Sequence, residues 1–326
     1  MKKKKVLIGL IVLAVILGGL YFVFAHFYGI SNFLPDSEIV LNEGVLEQGY
    51  IGEVETELED VDIPEATKEM TKDTYNLLLI GVDTGKDDSW QGNSDSMILV
   101  TVNHATEQIF LTSFMRDLYA EIPGIGVRKL NAAHANGGGP LLVETLEVNY
   151  GVKIDNYARA DLKSMAKVIN ALGGLDLELT EEEAKYINEK LYKQPEGDGD
   201  KFLKGSGMMH LNGKQAVWFA RIRKIGNSDY ERTSRQRRVL TEMFSKFKEL
   251  NFSEMNKVVN EVLPLITHNI GQVTMLSLLP RVPDMLSYEL VSQRIPYDDL
   301  YYSSDEILVP EMEETVERLQ KTIYAK

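Results

Sequence analysis

Three apolar runs, rich in leucine and β-branched residues, constrain the fold of this 326-residue chain most strongly. They cover Tyr75–Val82, Met97–Val102 and Ile109–Phe114, and each has the length of a buried strand. A helical pattern follows at Pro140–Val148, where proline opens the helix after three glycines. Strands that alternate with helices predict an α/β fold, with a central mixed β-sheet flanked by helices in an α-β-α sandwich.

The middle of the chain continues this alternation. Leu162–Leu172 has helical spacing and ends at two glycines, and Leu175–Leu179 alternates as a strand does. A capping-box pattern at Thr180–Glu183 begins a helix that runs to Leu191. The Gly- and Asp-rich run Gln194–Gly207 predicts a loop.

Two more helices are predicted after this loop. Asn212 with Gln215 caps the first, and the second starts near Asp229 and runs toward Leu250. Since no linker-like break divides the chain after Thr71, we expect a single domain.

The N-terminus predicts a membrane anchor. Lys2–Lys5 precede the uncharged run Val6–Ala25, which is long enough to span a bilayer. A cleaved signal peptide is the alternative, but its apolar core would be shorter and Phe22–His26 makes a poor cleavage site. Because no Lys or Arg occurs from Val6 to Thr67, the positive-inside rule places the N-terminus in the cytoplasm.

These features divide the chain into four parts: a cytoplasmic tail (1–5), a transmembrane anchor (6–27), an acidic extracytoplasmic linker (28–70) and one domain (71–326). Repulsion among its carboxylates would extend the linker, although part of it could pair as an edge strand on the domain. The predicted location is the cell membrane, with a single pass and an extracellular C-terminal domain.

Composition excludes several classes of function. The net charge of -14 argues against binding to bulk DNA or RNA. The chain has no cysteine, so disulfides and thiolate sites are excluded. Its five histidines lack metal-ligand spacing and no serine lies in a GxSxG turn, so zinc and acyl-transfer chemistry have no support.

Arginines concentrate between Ala220 and Arg238, in a chain that is otherwise acidic. A guanidinium group offers a planar fork of donors that suits phosphate or pyrophosphate. On the second helix, Arg232, Arg235 and Gln236 share one face by their spacing. The cluster therefore indicates an anionic ligand, with a solvated charged face as the alternative.

Two aspartates flank consecutive strands at positions where α/β sheets place ligands. Asp83 follows the first predicted strand and Asp95 precedes the second. Their oxygens could hold Mg²⁺, which keeps most of its waters and bridges to substrate phosphates. Turn capping by each aspartate is the alternative.

More charged residues follow the third strand. Arg116 and Asp117 come directly after it, and Lys129 and Asn131 lie in a Gly-rich loop. We expect these groups to share one rim with the two aspartates. A local ion pair of Arg116 with Asp117 is the alternative. Adjacent side chains on extended backbone point in opposite directions, which argues against this pair.

In this order, the motifs resemble those of the LytR-CpsA-Psr proteins, membrane-anchored enzymes of mainly Gram-positive envelopes. The resemblance covers Tyr75 to about Leu240. It rests on LLLIGVD (77–83), NSDSMILVTVN (93–103), SFMRDLYAEIPG (113–124), KLNAAHANGGGP (129–140), VINALGG (168–174) and LNGKQAVWFARIRKIGNSDYERTSRQRRVL (211–240).

The resemblance implies an α/β domain that holds a polyprenyl-pyrophosphate lipid. It implies transfer of a phosphate-linked glycopolymer, such as teichoic acid, capsule or another wall polysaccharide, from that lipid to peptidoglycan, with release of polyprenyl phosphate. Magnesium is the implied cofactor and manganese the alternative. The implied partners are the lipid-linked glycan, peptidoglycan and the cell membrane, without nucleic acid.

The resemblance also implies roles for particular residues. Asp83 and Asp95 would hold the metal, and Asp95, Arg116 and Asp229 would be catalytic, with Asp95, Asp229 or metal activation of the acceptor left open as the base. The pyrophosphate would contact Arg116, Lys129, Arg221, Arg223, Arg232, Arg235 and Gln236.

Three positions depart from the family pattern, since Asn93 stands where Arg is frequent, Ser96 where Thr is expected and Asn170 where Asp is common. A non-catalytic lipid-pyrophosphate binding module is the second hypothesis for function. A membrane-tethered nucleic-acid regulator is a third, which the predicted topology and the acidic domain disfavour.

Overall fold

The computed structural model describes residues 24–39, 63–83, 92–193, 202–226, 228–304 and 307–326. The strands, in chain order, are β1 (Asn32–Phe33), β2 (Thr74–Val82), β3 (Ser94–Asn103), β4 (Gln108–Phe114), β5 (Tyr119–Ile122), β6 (Gly126–Lys129), β7 (Asn156–Asp161), β8 (Leu175–Leu179), β9 (Gly207–Leu211), β10 (Thr267–His268), β11 (Glu289–Ile295), β12 (Tyr301–Ser304) and β13 (Ile307–Pro310).

Helices surround these strands. They are α1 (Lys68–Thr71), α2 (Asn131–Tyr150), α3 (Leu162–Ala171), α4 (Glu181–Lys193), α5 (Gly213–Ala220), α6 (Ser228–Glu249), α7 (Phe252–Val262), α8 (Gln272–Leu278), α9 (Val282–Met285) and α10 (Met312–Ile323). Residues 24–30 are also helical, and short 3-10 turns follow α7 and α8.

Seven of the described strands form one mixed sheet in the order β1-β10-β7-β2-β3-β4-β11. The pairs β1–β10, β7–β2 and β4–β11 are parallel, and the other neighbours are antiparallel. The three apolar runs that predicted strands lie in β2, β3 and β4, so the predicted mixed sheet is confirmed. The remaining strands pair as β5–β6, β8–β9 and β12–β13.

Helices cover both faces of the sheet. On one face, Leu78 and Ile80 of β2 join a core with Leu142 of α2 and Leu319 of α10. On the other face, alternate strand residues such as Ile98 pack with side chains of α6. Burial on both faces explains why the strands are continuous apolar runs, without polar alternation.

Helix α2 differs from its prediction. Pro140–Val148 is helical as predicted, but residues 131–136 before it are helical too, and the predicted Gly-rich loop is the β5–β6 hairpin. The two helical parts meet at a kink, where Gly138 has a φ of 62°. A side chain at Gly139 would meet the Tyr157 ring at 2.4 Å, so this glycine permits the close approach of α2 to β7.

The capping signals in the middle of the chain are confirmed. Thr180 and Glu183 exchange side-chain and backbone hydrogen bonds at the start of α4, and Asn212 and Gln215 do the same at α5. Gly207 belongs to β9 rather than to the predicted loop, of which residues 194–201 lie outside the described residues.

Part of the predicted linker lies on the domain. Asn32 and Phe33 pair with β10 at the edge of the sheet, as the sequence allowed. Farther along, Ala66 N–H donates to the Gly151 carbonyl. Most of the predicted transmembrane span falls outside the described residues, within which no helix has the length and apolar character to cross a bilayer.

Candidate functional site

A cavity of about 780 Å³ opens at one end of the central strands. It lies against β2, β3 and β7 of the sheet and against α3, α5 and α6. One part of its wall is charged: Asp83, Asp95, Arg116, Arg221, Arg223, Lys224 and Arg232. Most of the rest is apolar: Leu79, Ile98, Met165, Val168, Ile169, Val217, Trp218, Val239, Leu240, Met243 and Ile266.

Strand register brings three charged groups to this end of the sheet. Val82, the last residue of β2, pairs with Ser94, the first residue of β3. Asp83 and Asp95, each one residue further along the chain, therefore lie at the same end of the sheet. β4 ends at Phe114, beside the same end of β3, and Arg116 comes two residues later. The shared rim expected from the sequence is therefore present for these three side chains.

Asp95 collects guanidinium groups from three elements. Arg116 Nη1 donates to its Oδ1 at 3.1 Å, and Arg223 Nη2 donates to the same oxygen at 2.8 Å. Arg232 Nη1 lies 3.6 Å from it. One carboxylate thus holds together the loop after β4, the turn after α5 and helix α6.

Asp229 and Asp83 complete the ion-pair network. Asp229 Oδ2 accepts from Arg116 Nε at 3.1 Å and from Arg232 Nη2 at 3.0 Å. Asp83 Oδ2 accepts from Arg221 Nη2 at 2.6 Å. Burial opposes the charge of Arg116, but Asp117, Asp229 and Asp95 together raise its pKa above the ordinary value.

The argument against a local Arg116–Asp117 pair is wrong. Residues 116 and 117 form a turn, closed by a hydrogen bond from Leu118 N–H to the Met115 carbonyl, so the backbone is not extended there. Arg116 Nε lies 3.3 Å from Asp117 Oδ2, and Lys129 Nζ lies 3.3 Å from Asp117 Oδ1. Despite burial, these two cations lower the pKa of Asp117.

Lys129 does not line the cavity. Its contact with Asp117 places it behind Arg116, at the end of β6. From this position the charge of Lys129 supports the orientation of Asp117 and Arg116, and its contact with the ligand stays a prediction.

Arg232 and Gln236 carry buried polar atoms that make no hydrogen bond with the part of the chain that the structure describes. Nε and Nη1 of Arg232 and Oε1 of Gln236 are buried and make no hydrogen bond among the described residues, and both side chains line the cavity. Burial lowers the pKa of Arg232 to about 10. Unsatisfied buried polar atoms are costly, and the two side chains that carry these atoms line the cavity, where a small movement would let them contact a bound ligand.

Arg235 does not belong to this site, although its spacing predicted the same face. Its Nε donates to Glu183 Oε1 at 2.7 Å, and its two amino groups donate to the carbonyls of Ile222 and Ile225. Both charged side chains of the pair are buried and Arg235 does not line the cavity. The assignment of Arg235 to pyrophosphate is therefore corrected to a structural ion pair between α4 and α6.

An aromatic and cationic wall adds residues that the sequence analysis did not assign. Arg221 lies over the Trp218 ring, 4.9 Å from its centroid. Lys190 lies 5.0 Å from the Tyr186 centroid and 5.7 Å from that of Trp218, and both α4 residues line the cavity. The i,i+4 spacing of Tyr186 and Lys190 indicates that the two side chains share one helix face, but the same spacing is common on exposed helix faces and does not identify a cavity wall.

Two of the departures from the family pattern, Asn93 and Asn170, have different surroundings. Asn93 lines the cavity. Asn170 Oδ1 accepts from the backbone N–H of Gly213 at 2.7 Å, which joins the end of α3 to the start of α5. An aspartate could accept the same hydrogen bond, so the change at Asn170 leaves this contact intact.

The donor set near the rim fits a divalent cation that shares its ligands with a substrate. Asp83 and Asp95 both line the cavity and supply hard oxygen atoms. Across the described ranges, no three His, Asp or Glu side chains are grouped as a metal site, so a cage made by the protein alone is not formed there. Mg²⁺ needs only one or two carboxylates when phosphate oxygens and water complete its shell.

Known proteins resemble this chain over its central part. It is 36% identical over 183 residues to the polyisoprenyl-teichoic acid–peptidoglycan teichoic acid transferase TagU of Enterococcus faecalis, covering 55% of this chain and 56% of TagU. It is 27% identical over 261 residues to TagV of Bacillus subtilis, which bears the same transferase name, covering 78% and 65%. The chain spans little more than half the length of the first of these relatives.

Solved structures share its fold. A Streptococcus agalactiae protein superposes with a TM-score of 0.65 at 27% identity, covering 79% of this chain and 90% of that one. Bacillus subtilis TagT with bound octaprenyl pyrophosphate superposes with a TM-score of 0.58 at 22% identity, covering 82% and 95%. The model of the LytR_cpsA_psr family matches residues 49–323, and the chain belongs to this family.

Proposed function

We propose that the protein transfers a phosphate-linked glycopolymer from polyprenyl pyrophosphate to peptidoglycan. One observation carries this proposal: Arg116, Arg221, Arg223 and Arg232 line one part of a cavity whose remaining wall is largely apolar. A ligand that matches both parts has a multiply charged anionic head and a long hydrocarbon tail. The named activity of the transferase relatives and the lipid bound to TagT support the same reading.

The head of this lipid would lie among the rim arginines. Arg232 and Gln236 would use their unpartnered atoms there, the guanidinium directly and the amide oxygen through water or a protonated phosphate oxygen. The tail would lie against apolar side chains such as Val239, Leu240 and Met243. Its burial contributes about 25 cal/mol per Å² of apolar surface removed from water.

Charge balance favours a divalent cation with the substrate. The carboxylates of Asp83, Asp95 and Asp229 already pair with the rim arginines. A pyrophosphate added to this network brings further negative charge close to those carboxylates. Mg²⁺ held by Asp83 and Asp95 would offset that charge, and Mn²⁺ offers the same ligand preference for hard oxygen.

The reaction would be a displacement at phosphorus. The acceptor hydroxyl oxygen of peptidoglycan forms a bond to the phosphorus that carries the glycopolymer. The bond from that phosphorus to the bridging oxygen breaks, and polyprenyl phosphate leaves with the electron pair. Arg116 and Arg223 would stabilise the charge that develops on the phosphoryl oxygens.

Asp95 is better placed than Asp229 to receive the proton of the acceptor. Asp95 lines the cavity, whereas Asp229 does not and is the less exposed of the two. Asp229 instead accepts from Arg116 and Arg232, so we assign it to positioning those two guanidinium groups.

The same proposal places the protein in the cell membrane by residues 6–27, with its domain outside. The uncharged span and the lysines before it support this arrangement. A protease-sensitive tag after Lys326 tests it, because external protease should remove the tag from intact cells without a cell wall. A tag that is cleaved only after lysis would contradict the orientation.

Transfer is tested with the full-length protein, a polyprenyl-pyrophosphate-linked oligosaccharide, Mg²⁺ and peptidoglycan oligomers. Mass spectrometry should detect a phosphodiester-linked product, which Arg116→Ala and Asp95→Asn should abolish. Arg238→Ala is the control, because it removes a guanidinium from α6 at a position that does not line the cavity. Equal product from Arg116→Ala and Arg238→Ala would contradict the proposal.

A binding module without catalysis is the second candidate, because each of Asp83, Asp95 and Asp229 is held in an ion pair. Asp83→Ala distinguishes the two. Loss of product with lipid still bound supports transfer, while wild-type protein that binds lipid and yields no product with several acceptors supports the module.

A further inference from the structure

One segment of the surface is unusually apolar for an acidic protein. Every third residue from Val273 to Val282 is a large exposed hydrophobic side chain: Val273, Leu276, Leu279 and Val282 are 82%, 46%, 50% and 36% exposed. We call these four residues the apolar stripe. It runs along α8, the following turn and α9, which together connect β10 to β11.

The sequence around the stripe is also poor in charge. No Lys, Arg, Asp or Glu occurs from Val262 to Pro280, although the chain as a whole carries a net charge of -14. Only Arg281 and Asp284, of opposite sign, lie between Pro280 and Tyr288. The segment that carries the stripe therefore has little charge of its own.

The stripe lies at the end of the sheet opposite the arginine rim. β10 leads to Asn269, whose carbonyl accepts from the Asn156 side chain at the beginning of β7. The connection then enters β11 at Glu289, which pairs with Gln108 at the beginning of β4. Both ends of the connection are thus far from the rim, which follows the end of β4.

The described end of the predicted membrane span, residues 24–27, lies on the same side of the domain. Ser31 N–H donates to the Tyr28 carbonyl, and the Tyr28 and Phe33 rings are 5.7 Å apart, so the chain reverses between them. β1 runs parallel to β10, toward Asn269, and the helical segment 24–30 therefore arrives from that side. His26 Nε2 lies 3.0 Å from Asn260 Oδ1 of α7, which holds the segment on the domain.

We propose that the apolar stripe lies in the surface of the lipid bilayer that anchors the chain. This inference rests on the membrane anchor of the proposed function. Apolar side chains on an exposed helical segment insert among lipid headgroups, and a nearby span keeps them at the bilayer at high local concentration.

The experiment uses the absence of cysteine from the chain, which makes single labels specific. Leu276→Cys carries an environment-sensitive NBD dye in the full-length protein, reconstituted into phosphatidylcholine and phosphatidylglycerol vesicles with or without doxyl-labelled lipid. Tyr302→Cys is the matched control, at 45% exposure. Tyr302 comes after the end of β11 that is opposite Glu289, and the length of β11 is about 20 Å.

Doxyl lipid should lower the fluorescence at Leu276→Cys roughly two-fold and leave Tyr302→Cys nearly unchanged. Vesicle flotation is measured on the same samples. Protein that floats without quenching at Leu276→Cys overturns the lipid contact while the anchor stands. Protein that fails to float contradicts both the anchor and the contact.

Discussion

Arg232 and Arg235 are one helical turn apart on α6, yet they serve different purposes. Arg235 gives its donors to Glu183 and to two backbone carbonyls, which leaves nothing for a ligand. Arg232 is equally buried, but its Nε and Nη1 make no hydrogen bond with any described residue, and its side chain lines the cavity. The comparison shows that two arginines of one motif with similar burial differ in hydrogen-bond satisfaction, so only Arg232 keeps donors that a ligand could use.

The largest effect should come from Arg235→Ala. It leaves the buried carboxylate of Glu183 without its cation, and we expect a loss of about 3–5 kcal/mol in the free energy of unfolding. Denaturant titration measures this loss. The double change Glu183→Leu with Arg235→Met should recover part of the lost free energy of unfolding. If Arg235→Ala alone were as stable as the wild type, Arg235 would not be the structural arginine of the comparison.

Arg232→Ala should mainly affect the reaction. We expect product formation to fall by roughly 10²–10³-fold, because a preorganised donor to the phosphoryl oxygens is lost. Stability should change less than in Arg235→Ala, since unsatisfied donors are removed together with the charge. Transfer assays and denaturant titration on the same samples compare the two, and a reversed order of effects would contradict the distinction.

His134 extends the comparison to the other face of the sheet. Burial lowers its pKa from 6.5 to about 4, and its Nδ1 lies 2.7 Å from the Gly92 carbonyl. Below pH 6.5 the unfolded chain binds the proton more readily, so this contribution to stability is complete above pH 6.5 and is lost as the pH falls toward 4. The full loss amounts to about 3 kcal/mol.

His134→Gln isolates this contribution, because glutamine can still donate to the Gly92 carbonyl and does not titrate. The slope of unfolding free energy against pH between 6.5 and 4 should be smaller in His134→Gln than in the wild type. Parallel slopes would mean that His134 is not a buried neutral group.

The smallest effect concerns the aromatic wall. Trp218→Leu removes a ring from beneath Arg221 while it keeps an apolar side chain in the cavity wall. We expect about 1 kcal/mol of lost lipid affinity, from the cation–π contact. Lipid titration with an oligoprenyl pyrophosphate measures this change, and a loss as large as that of Arg232→Ala would make the ring part of the phosphate site.

Local sequence patterns predicted the central strands, helix α3 and both capping boxes, since neighbouring residues decide these features. Strand register then explains why Asp83, Asp95 and Arg116 meet, as expected for residues at strand ends. Helical spacing failed for Arg235, because its partner Glu183 is distant in sequence. The backbone argument failed at Asp117 because a turn replaces the strand there.

The last quarter of the chain resisted prediction altogether. β10 and β11 pair with strands more than 100 residues earlier, and nothing local in their sequences specifies those neighbours. The aromatic wall was missed for the same reason, because Lys190 contacts Trp218 only through the packing of α4 on α5.

The position of β11 has a consequence for solubility. It covers β4 along seven paired residues, while β10 and β1 cover β7 on the other side. A chain that ended near Leu250 would keep every rim residue but expose the backbone of Gln108–Phe114 as an open, largely apolar edge. Such an edge is a template for pairing with other chains, so the segment after Leu250, which holds no rim residue, protects the protein from aggregation.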